Sequence, residues 1–307
     1  MTHATRPHPM TGALLVLLSA IGFSSKAIIA KLAYLQGVDA ASLIALRMLC
    51  AIPFFLGLGW WAMRQATPMT MQPRDWGLLV LLAVVGGYGS MWLNFEGLRT
   101  ISAGLERVIL FIYPTLVVGI SAVWLQHRIT RREWVAMLAS YAGVVLVVWH
   151  DVSWAGWRSD HTLLGATWVF LSALMYAGYL LVSGYLIPKL GASRFTAFSM
   201  SLIALTSLWP LIGQHEIQVI RQLPEAVYGL AVLMALVATV LPSVCMNLGI
   251  QQLGSRKVAL MSAIGPVSTI VLAMLFLNEP ISWLQAVGTS LVLAGVLAVS
   301  IETPPAR

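Results

Sequence analysis

Apolar residues run along this chain in long stretches broken by short polar turns, without the strict alternation of a half-buried strand. Stretches of about 20 residues suit helices that cross a hydrocarbon layer, where every backbone N–H and C=O must be satisfied inside its own segment. The pattern predicts ten helices, over residues 11–34, 40–63, 76–97, 104–125, 131–150, 163–186, 195–213, 225–247, 257–277 and 281–301. Short connections leave no room for a soluble domain. The first run is too long, and too poor in small-residue cleavage sites, for a typical signal peptide, so it is read as a retained helix.

The pattern also occurs twice. Ile101-Ser102-Ala103-Gly104-Leu105-Glu106-Arg107 leads to Phe111-Ile112-Tyr113-Pro114, then to a polar break at Gln126-His127 and to Ala142-Gly143-Val144. Later, Leu253-Gly254-Ser255-Arg256-Lys257 leads to Ala263-Ile264-Gly265-Pro266, then to Asn278-Glu279-Pro280 and Ala294-Gly295-Val296. Pro114 to Gly143 and Pro266 to Gly295 are both 29 residues apart, which sets the copies 152 residues out of step. Self-similarity at half the chain length indicates a duplicated unit. The expected organisation is a first repeat over 11–150, a second over 163–301, and short tails at 1–10 and 302–307.

Composition narrows the class. With 59% hydrophobic and 9% charged residues and a mean hydropathy of +0.86, the 307-residue chain is expected to be an all-α polytopic membrane protein. The net charge of +7 reflects topology rather than nucleic-acid binding, because the cations sit in short loops. Eleven fall on the side shared by the termini (Arg6, Arg64, Arg74, Arg128, Arg131, Arg132, Lys189, Arg194, Arg256, Lys257, Arg307) and five on the other (Lys31, Arg99, Arg107, Arg158, Arg221). The positive-inside rule therefore puts both termini in the cytoplasm. Five helices is an odd number, so the second repeat is expected to enter the membrane inverted, an arrangement typical of transporters. The charges agree: the basic turn Gln126-His127-Arg128-Ile129-Thr130-Arg131-Arg132 is answered by Asn278-Glu279-Pro280-Ile281-Ser282, which has no cation.

These residues resemble the EamA-type drug/metabolite transporter family, from about Gly12 to Ile301. The resemblance rests on Leu17-Leu18-Ser19-Ala20, Arg47, Pro114, Pro266, the Asn278-Glu279-Pro280 turn, Gly288 and Gly295. Ile21-Gly22-Phe23 departs from the Trp-Gly pair of many members, and His127 stands where the second repeat has Glu279. The resemblance implies a bacterial inner-membrane carrier with two five-helix EamA repeats, a central cavity between them, peripheral fifth and tenth helices, and export of metabolites, amino acids or drugs. Its partners would be a small-molecule solute and the lipid bilayer. No cofactor, metal or nucleic acid is implied, and no oligomeric state.

An ionisable group within a span costs about 2.5–3.5 kcal/mol on insertion scales, so its presence asks for a reason. Lys26, about two thirds along the first helix, either faces a cavity, binding an anion or pairing with Glu96 or Glu106, or snorkels to the interface. Arg47 is expected to pair with Asp39 and brace helix ends, with solute contact as the lesser reading. Glu96 and Arg99 have the i,i+3 spacing of a weak surface pair. Glu106, in the first turn of its helix, is a candidate proton or cation site as well as a partner for the helix dipole. Pro114 and Pro266 interrupt the matched fourth and ninth helices and are candidate hinges. Tyr88, Trp92, Asn94, Tyr113, Tyr176, Tyr179 and Asn247 are candidate cavity residues, with interhelical hydrogen bonding or packing as the plainer role of each. Trp168 and Trp209 also lie within runs, either packing or lining a cavity.

No P-loop, dinucleotide turn, HExxH or nucleophile triad is present, and His3, His8, His127, His150, His161 and His215 are scattered, so neither ATP-driven transport nor an intramembrane enzyme is expected. The function expected is a secondary transporter working by alternating access. A facilitator or importer without ion coupling is the alternative within transporters, and an intramembrane enzyme or a non-transporting scaffold are the alternatives outside them.

Overall fold

A computed structural model of the chain describes residues 9–64, 69–124, 129–155, 159–209, 218, 220–253, 261 and 264–301. The helices are α1 (Pro9–Tyr34), α2 (Ala40–Met63), α3 (Pro73–Leu98), α4 in two segments (Ala103–Leu110 and Tyr113–Trp124) and α5 (Arg131–Ala155). They continue with α6 (Ser159–Leu190), α7 (Ala192–Ser207), α8 (Glu225–Ala235, then Leu236–Val240 and Leu241–Leu253), α9 (Ile264–Leu277) and α10 (Trp283–Ile301). No strand occurs among the described residues. Seven of the helices are long and apolar enough to cross a membrane, and stretches of α9 and α10 form shorter apolar helices.

Local chemistry sets the helix starts. The Asp39 carboxylate accepts the Ser42 N–H at 3.1 Å and caps α2, and Ser102 accepts from Leu105 N–H at 3.0 Å to cap α4. At α3, Pro73 occupies the first helical position and Asp75 reaches back to the Gln72 N–H at 3.0 Å. Gly191 takes φ 82° between α6 and α7, a left-handed conformation that glycine adopts without a Cβ clash. The seventh helix ends at Ser207, short of the 213 expected, and residues 210–217 lie outside the described set.

Helix contacts come in matched sets: α1 packs on α8 as α6 packs on α3, α1 on α9 as α6 on α4, and α2 on α8 as α7 on α3. The pairs α2–α7 and α5–α10 are their own counterparts. At one end of the bundle, the Glu279 carboxylate accepts the Ala103 N–H at 3.1 Å and Ser102 donates to Asp151 at 2.7 Å. At the other end, Lys189 meets Asp75 at 2.8 Å and Arg194 Nε donates to the Ala62 carbonyl at 3.2 Å. Large apolar side chains such as Leu18, Trp60, Leu138, Trp149, Leu275 and Trp283 are exposed. A water-soluble surface does not carry so many, whereas lipid accepts them, and Trp60, Trp149 and Trp283 suit the interface near helix ends.

The α5–α10 contact depends on bare glycine. A Cβ on Gly143 would lie 2.5 Å from the Gly288 carbonyl, and one on Gly288 would lie 2.7 Å from the Gly143 carbonyl. Close backbone approach of this kind holds helices together where lipid supplies no hydrophobic drive. Gly288→Val is expected to cost about 1–3 kcal/mol through overpacking, read as a shorter half-life in detergent at raised temperature. Wild-type persistence would show that α5 and α10 do not approach this closely.

Candidate functional site

Three helices converge on one buried polar cluster. Lys26 comes from the inner face of α1, Asn94 from the last part of α3, and Glu106 from the first turn of α4, which Ser102 and Glu279 hold in place. The Lys26 ammonium donates to Asn94 Oδ1 at 2.5 Å and to Glu106 Oε1 at 3.0 Å, and Asn94 Nδ2 donates to the same Oε1 at 2.7 Å. An ammonium only donates and a carboxylate only accepts, so the amide, which does both, joins them; its orientation follows from these partners. The Glu106 side chain is fully buried and Lys26 keeps 16% of its exposure. The second carboxylate oxygen, Oε2, is buried and has no hydrogen-bond partner. Buried carboxylate oxygens are normally satisfied, so this one stands ready for a proton, a cation or a solute donor.

Lys26 and Asn94 line a cavity of about 270 Å³. Its walls come from α1 (Phe23), α2 (Arg47, Met48), α3 (Gly86, Gly87, Ser90, Met91, Phe95), α6 (Ser172, Tyr176, Tyr179), α7 (Met200, Ile203) and α8 (Ala238, Thr239, Ser243), with Leu110 from α4. A larger apolar groove of about 470 Å³ lies between α4, α5 and α6, but it carries no charged group and is edged by exposed Val123 and Leu174. The smaller cavity is the better candidate because it combines apolar walls with a few convergent polar groups.

Two π turns shape the cavity. α3 widens over Leu82–Gly89 and α8 over Leu236–Val240, and these stretches overlap under the 152-residue repeat offset. Each offers small residues to the cavity: Gly86 and Gly87 from one, Ala238 and Thr239 from the other. A π turn shifts its carbonyls out of the i→i−4 ladder, and Thr239 Oγ1 donates to the Met234 carbonyl at 3.1 Å. Just beyond the α3 turn, Ser90 Oγ donates to the Ser172 carbonyl at 3.0 Å and Ser172 Oγ to the Ser90 carbonyl at 2.7 Å, fixing α3 against α6.

Of the other sequence candidates, Tyr176 and Tyr179 line the cavity, their rings stacked with centroids 6.0 Å apart. Tyr113 stands behind them, edge-on to Tyr176 at 5.2 Å. Tyr88 and Trp92 are not brought to the cavity: the Tyr88 hydroxyl accepts from Trp209 Nε1 at 2.6 Å, and Trp92 packs edge-on against Trp168 at 6.3 Å. The side chain of Asn247 lies outside the described residues. α4 is broken at Phe111-Ile112, so that Pro114, which has no N–H to give the Leu110 carbonyl, sits in the first turn of the next segment. Pro266 is buried near the start of α9; the 152-residue offset puts the counterpart of the Phe111-Ile112 break at 263–264, and residues 262–263 lie outside the described residues. Glu96 and Arg99 form the expected exposed pair at 2.8 Å.

Arg47 corrects the sequence expectation. Asp39 spends its carboxylate on the α2 cap, and Arg47 makes no ion pair among the described residues. Its guanidinium lies 5.5 Å from the Phe95 ring centre, on the cavity wall. Sequence reasoning also passed over Phe23, Ser90, Ser172 and Thr239. Only the small residues Gly86-Gly87 and Ala238-Thr239 at matched positions signalled that region.

A family model for the EamA-like transporter family matches residues 10–149 and 163–301. The chain belongs to the EamA-like transporter family. It is 30% identical to the uncharacterized transporter YcbK of Bacillus subtilis (strain 168), over 90% of this chain and 88% of that protein. It is 26% identical to the uncharacterized inner membrane transporter YicL of Salmonella typhimurium, over 73% of each. A solved crystal structure, 16% identical, superposes with a TM-score of 0.59 over 97% of this chain and 98% of that one, a likeness of fold alone. This EamA chain is thus a multi-pass membrane transporter of two repeats and not an enzyme.

Proposed function

We propose that this EamA transporter is a ten-span secondary carrier whose inverted repeats move a small organic solute by alternating access, exporting it across a bacterial inner membrane with both termini in the cytoplasm. The observation that carries the reading is the Lys26–Asn94–Glu106 cluster, whose Lys26 and Asn94 line a cavity flanked by two repeat-related π turns and whose Glu106 is buried behind them. The matched helix pairings support the inversion: a carrier whose halves can exchange conformations needs each contact to have a counterpart. The inner-membrane location follows the relative so named and the excess of cations on the terminal side.

Coupling works through Glu106. A proton arriving at the free Oε2 cancels the charge that holds Lys26, releasing the ammonium and the Asn94 amide toward the solute. A change in the α1–α3–α4 junction then alters how α1 sits on α8 and α9, two of the contacts through which the first repeat meets the second. The test is counterflow and uptake in proteoliposomes with radiolabelled amino acids and other small organic solutes, with and without a pH gradient. Accumulation should follow the gradient in wild type, and Glu106→Gln should abolish that dependence. Equilibration indifferent to the gradient would replace coupled export with facilitated diffusion.

A further inference from the structure

Two cations lie within cation–π reach of one aromatic ring on the cavity wall. The Lys26 ammonium lies 5.6 Å and the Arg47 guanidinium 5.5 Å from the centre of Phe95. Their electrostatic situations differ. Lys26 is neutralised by Glu106 at 3.0 Å. Arg47 is 6% exposed, its Nε is buried without a hydrogen-bond partner, and its closest polar contact is a weak one from Nη1 to Met234 Sδ at 3.9 Å. With Lys26 paired to Glu106, Arg47 is the charged residue lining the cavity that has no ion pair among the described residues. Phe95 offers only a quadrupole to two cations at once, and cation–π contact does not replace a counter-charge for a guanidinium removed from water.

A guanidinium presents paired donors in one plane, matching the two oxygens of a carboxylate. The rest of the cavity suits an apolar body: Met48, Met91 and Met200 are flexible and polarisable, and Tyr176 adds an aromatic face. We infer that Arg47 is the anchor for the carboxylate of an organic monocarboxylate with an apolar or aromatic body, and that such anions are the solute class of this carrier. The inference rests on the carrier reading for transport but not for binding.

The test uses the full-length protein in nanodiscs and three matched pairs, benzoate and benzamide, phenylacetate and phenylacetamide, butyrate and butyramide, with benzylamine as a cation. Binding is read by thermal stabilisation and calorimetry, and movement by counterflow in vesicles. At least one carboxylate should bind about 10-fold or more tightly than its amide, the scale of one charge-assisted hydrogen-bonded contact. Arg47→Gln should erase that preference, and Arg47→Lys should keep part of it, since a point charge replaces the fork. Monodisperse variants make the comparison valid, because the readout is the carboxylate-to-amide ratio within each protein, and Arg47→Lys with the wild-type pairs suffices if Arg47→Gln does not fold. Absence of carboxylate preference in wild type, or its persistence in Arg47→Gln, overturns the anchor. Counterflow of benzylamine or the amides without carboxylate preference would overturn the anchor and leave the carrier standing. Carboxylate-dependent stabilisation without movement of any solute would do the reverse.

Discussion

Replacing Glu106 with leucine is expected to destabilise the protein by about 3–5 kcal/mol and to abolish transport, because it strands the Lys26 ammonium without its counter-charge. The carboxylate is fully buried and accepts from both Lys26 and Asn94 through one oxygen, so its loss removes two charge-assisted hydrogen bonds together. Lys26→Met should cost a similar amount by stranding the carboxylate. The double variant, Lys26→Met with Glu106→Leu, should recover most of the loss, since an apolar pair of similar volume replaces a desolvated ion pair. What remains is the Asn94 amide without its partners, worth about 1–3 kcal/mol. Thermal half-lives of the four proteins in detergent form a double-mutant cycle that isolates the coupling. Additive losses in the double variant would mean that the two side chains do not depend on one another. Counterflow separates the structural role from the transport role: the double variant should be stable and silent. Wild-type counterflow in it would remove the cluster from the mechanism.

The cluster was partly legible because charge within apolar sequence is rare and therefore informative. Lys26 and Glu106 stood out for their cost, and pairing between them was one of the readings open. Choosing it required knowing that α1, α3 and α4 meet, which only packing decides. Arg47 was misread for a related reason. Proximity in sequence favoured Asp39, but Asp39 sits at the N-cap, where its oxygen satisfies the Ser42 N–H, one of the first-turn donors that has no partner within the helix. The duplicated unit was legible from Pro114, Gly143, Pro266 and Gly295, and Gly143 proves to touch Gly288 in the α5–α10 contact.

The faces of α3 were not legible. Tyr88 lies within the π turn and Trp92 four residues later, while Asn94 follows on the cavity side. A wheel drawn at 3.6 residues per turn loses phase across a π turn, whose bonds run i→i+5. Leu82–Gly89 and Leu236–Val240 lie inside long apolar runs, so hydropathy does not mark the widening. The π turns stand beside the proline candidates as a second kind of interruption. Proline marks an interruption in sequence, yet the interruption present in both repeats among the described residues is the π turn, built from small residues and aimed at the cavity.

Gly22→Ala is expected to cost about 1–3 kcal/mol and to impair counterflow far more than a single methyl group would elsewhere. The departure at Ile21-Gly22-Phe23 lies where α1 crosses the π turn of α8. A Cβ on Gly22 would fall 2.5 Å from Pro242 Cγ and 2.7 Å from the Val237 carbonyl. The carbonyl belongs to the π turn and the proline ring is rigid, so neither can yield by rotating a flexible side chain. One turn earlier, Ser19 Oγ donates to the Pro242 carbonyl at 2.8 Å, which fixes α1 at that height and prevents it from sliding aside. The methyl group must therefore push α1 outward, and Phe23 and Lys26, on the cavity wall within the next turn or so, move with it. Gly57→Ala is the control, because a Cβ there meets nothing within 4 Å, and alanine is the better helix former by about 0.8–1 kcal/mol. It should leave counterflow unchanged and stability unchanged or slightly higher. Larger side chains at Gly22 should grade the effect, valine losing more than alanine, in both thermal half-life and solute exchange. Equal behaviour of the Gly22 and Gly57 variants would mean that α1 is free to move relative to α8, and that the α8 π turn does not set the cavity wall.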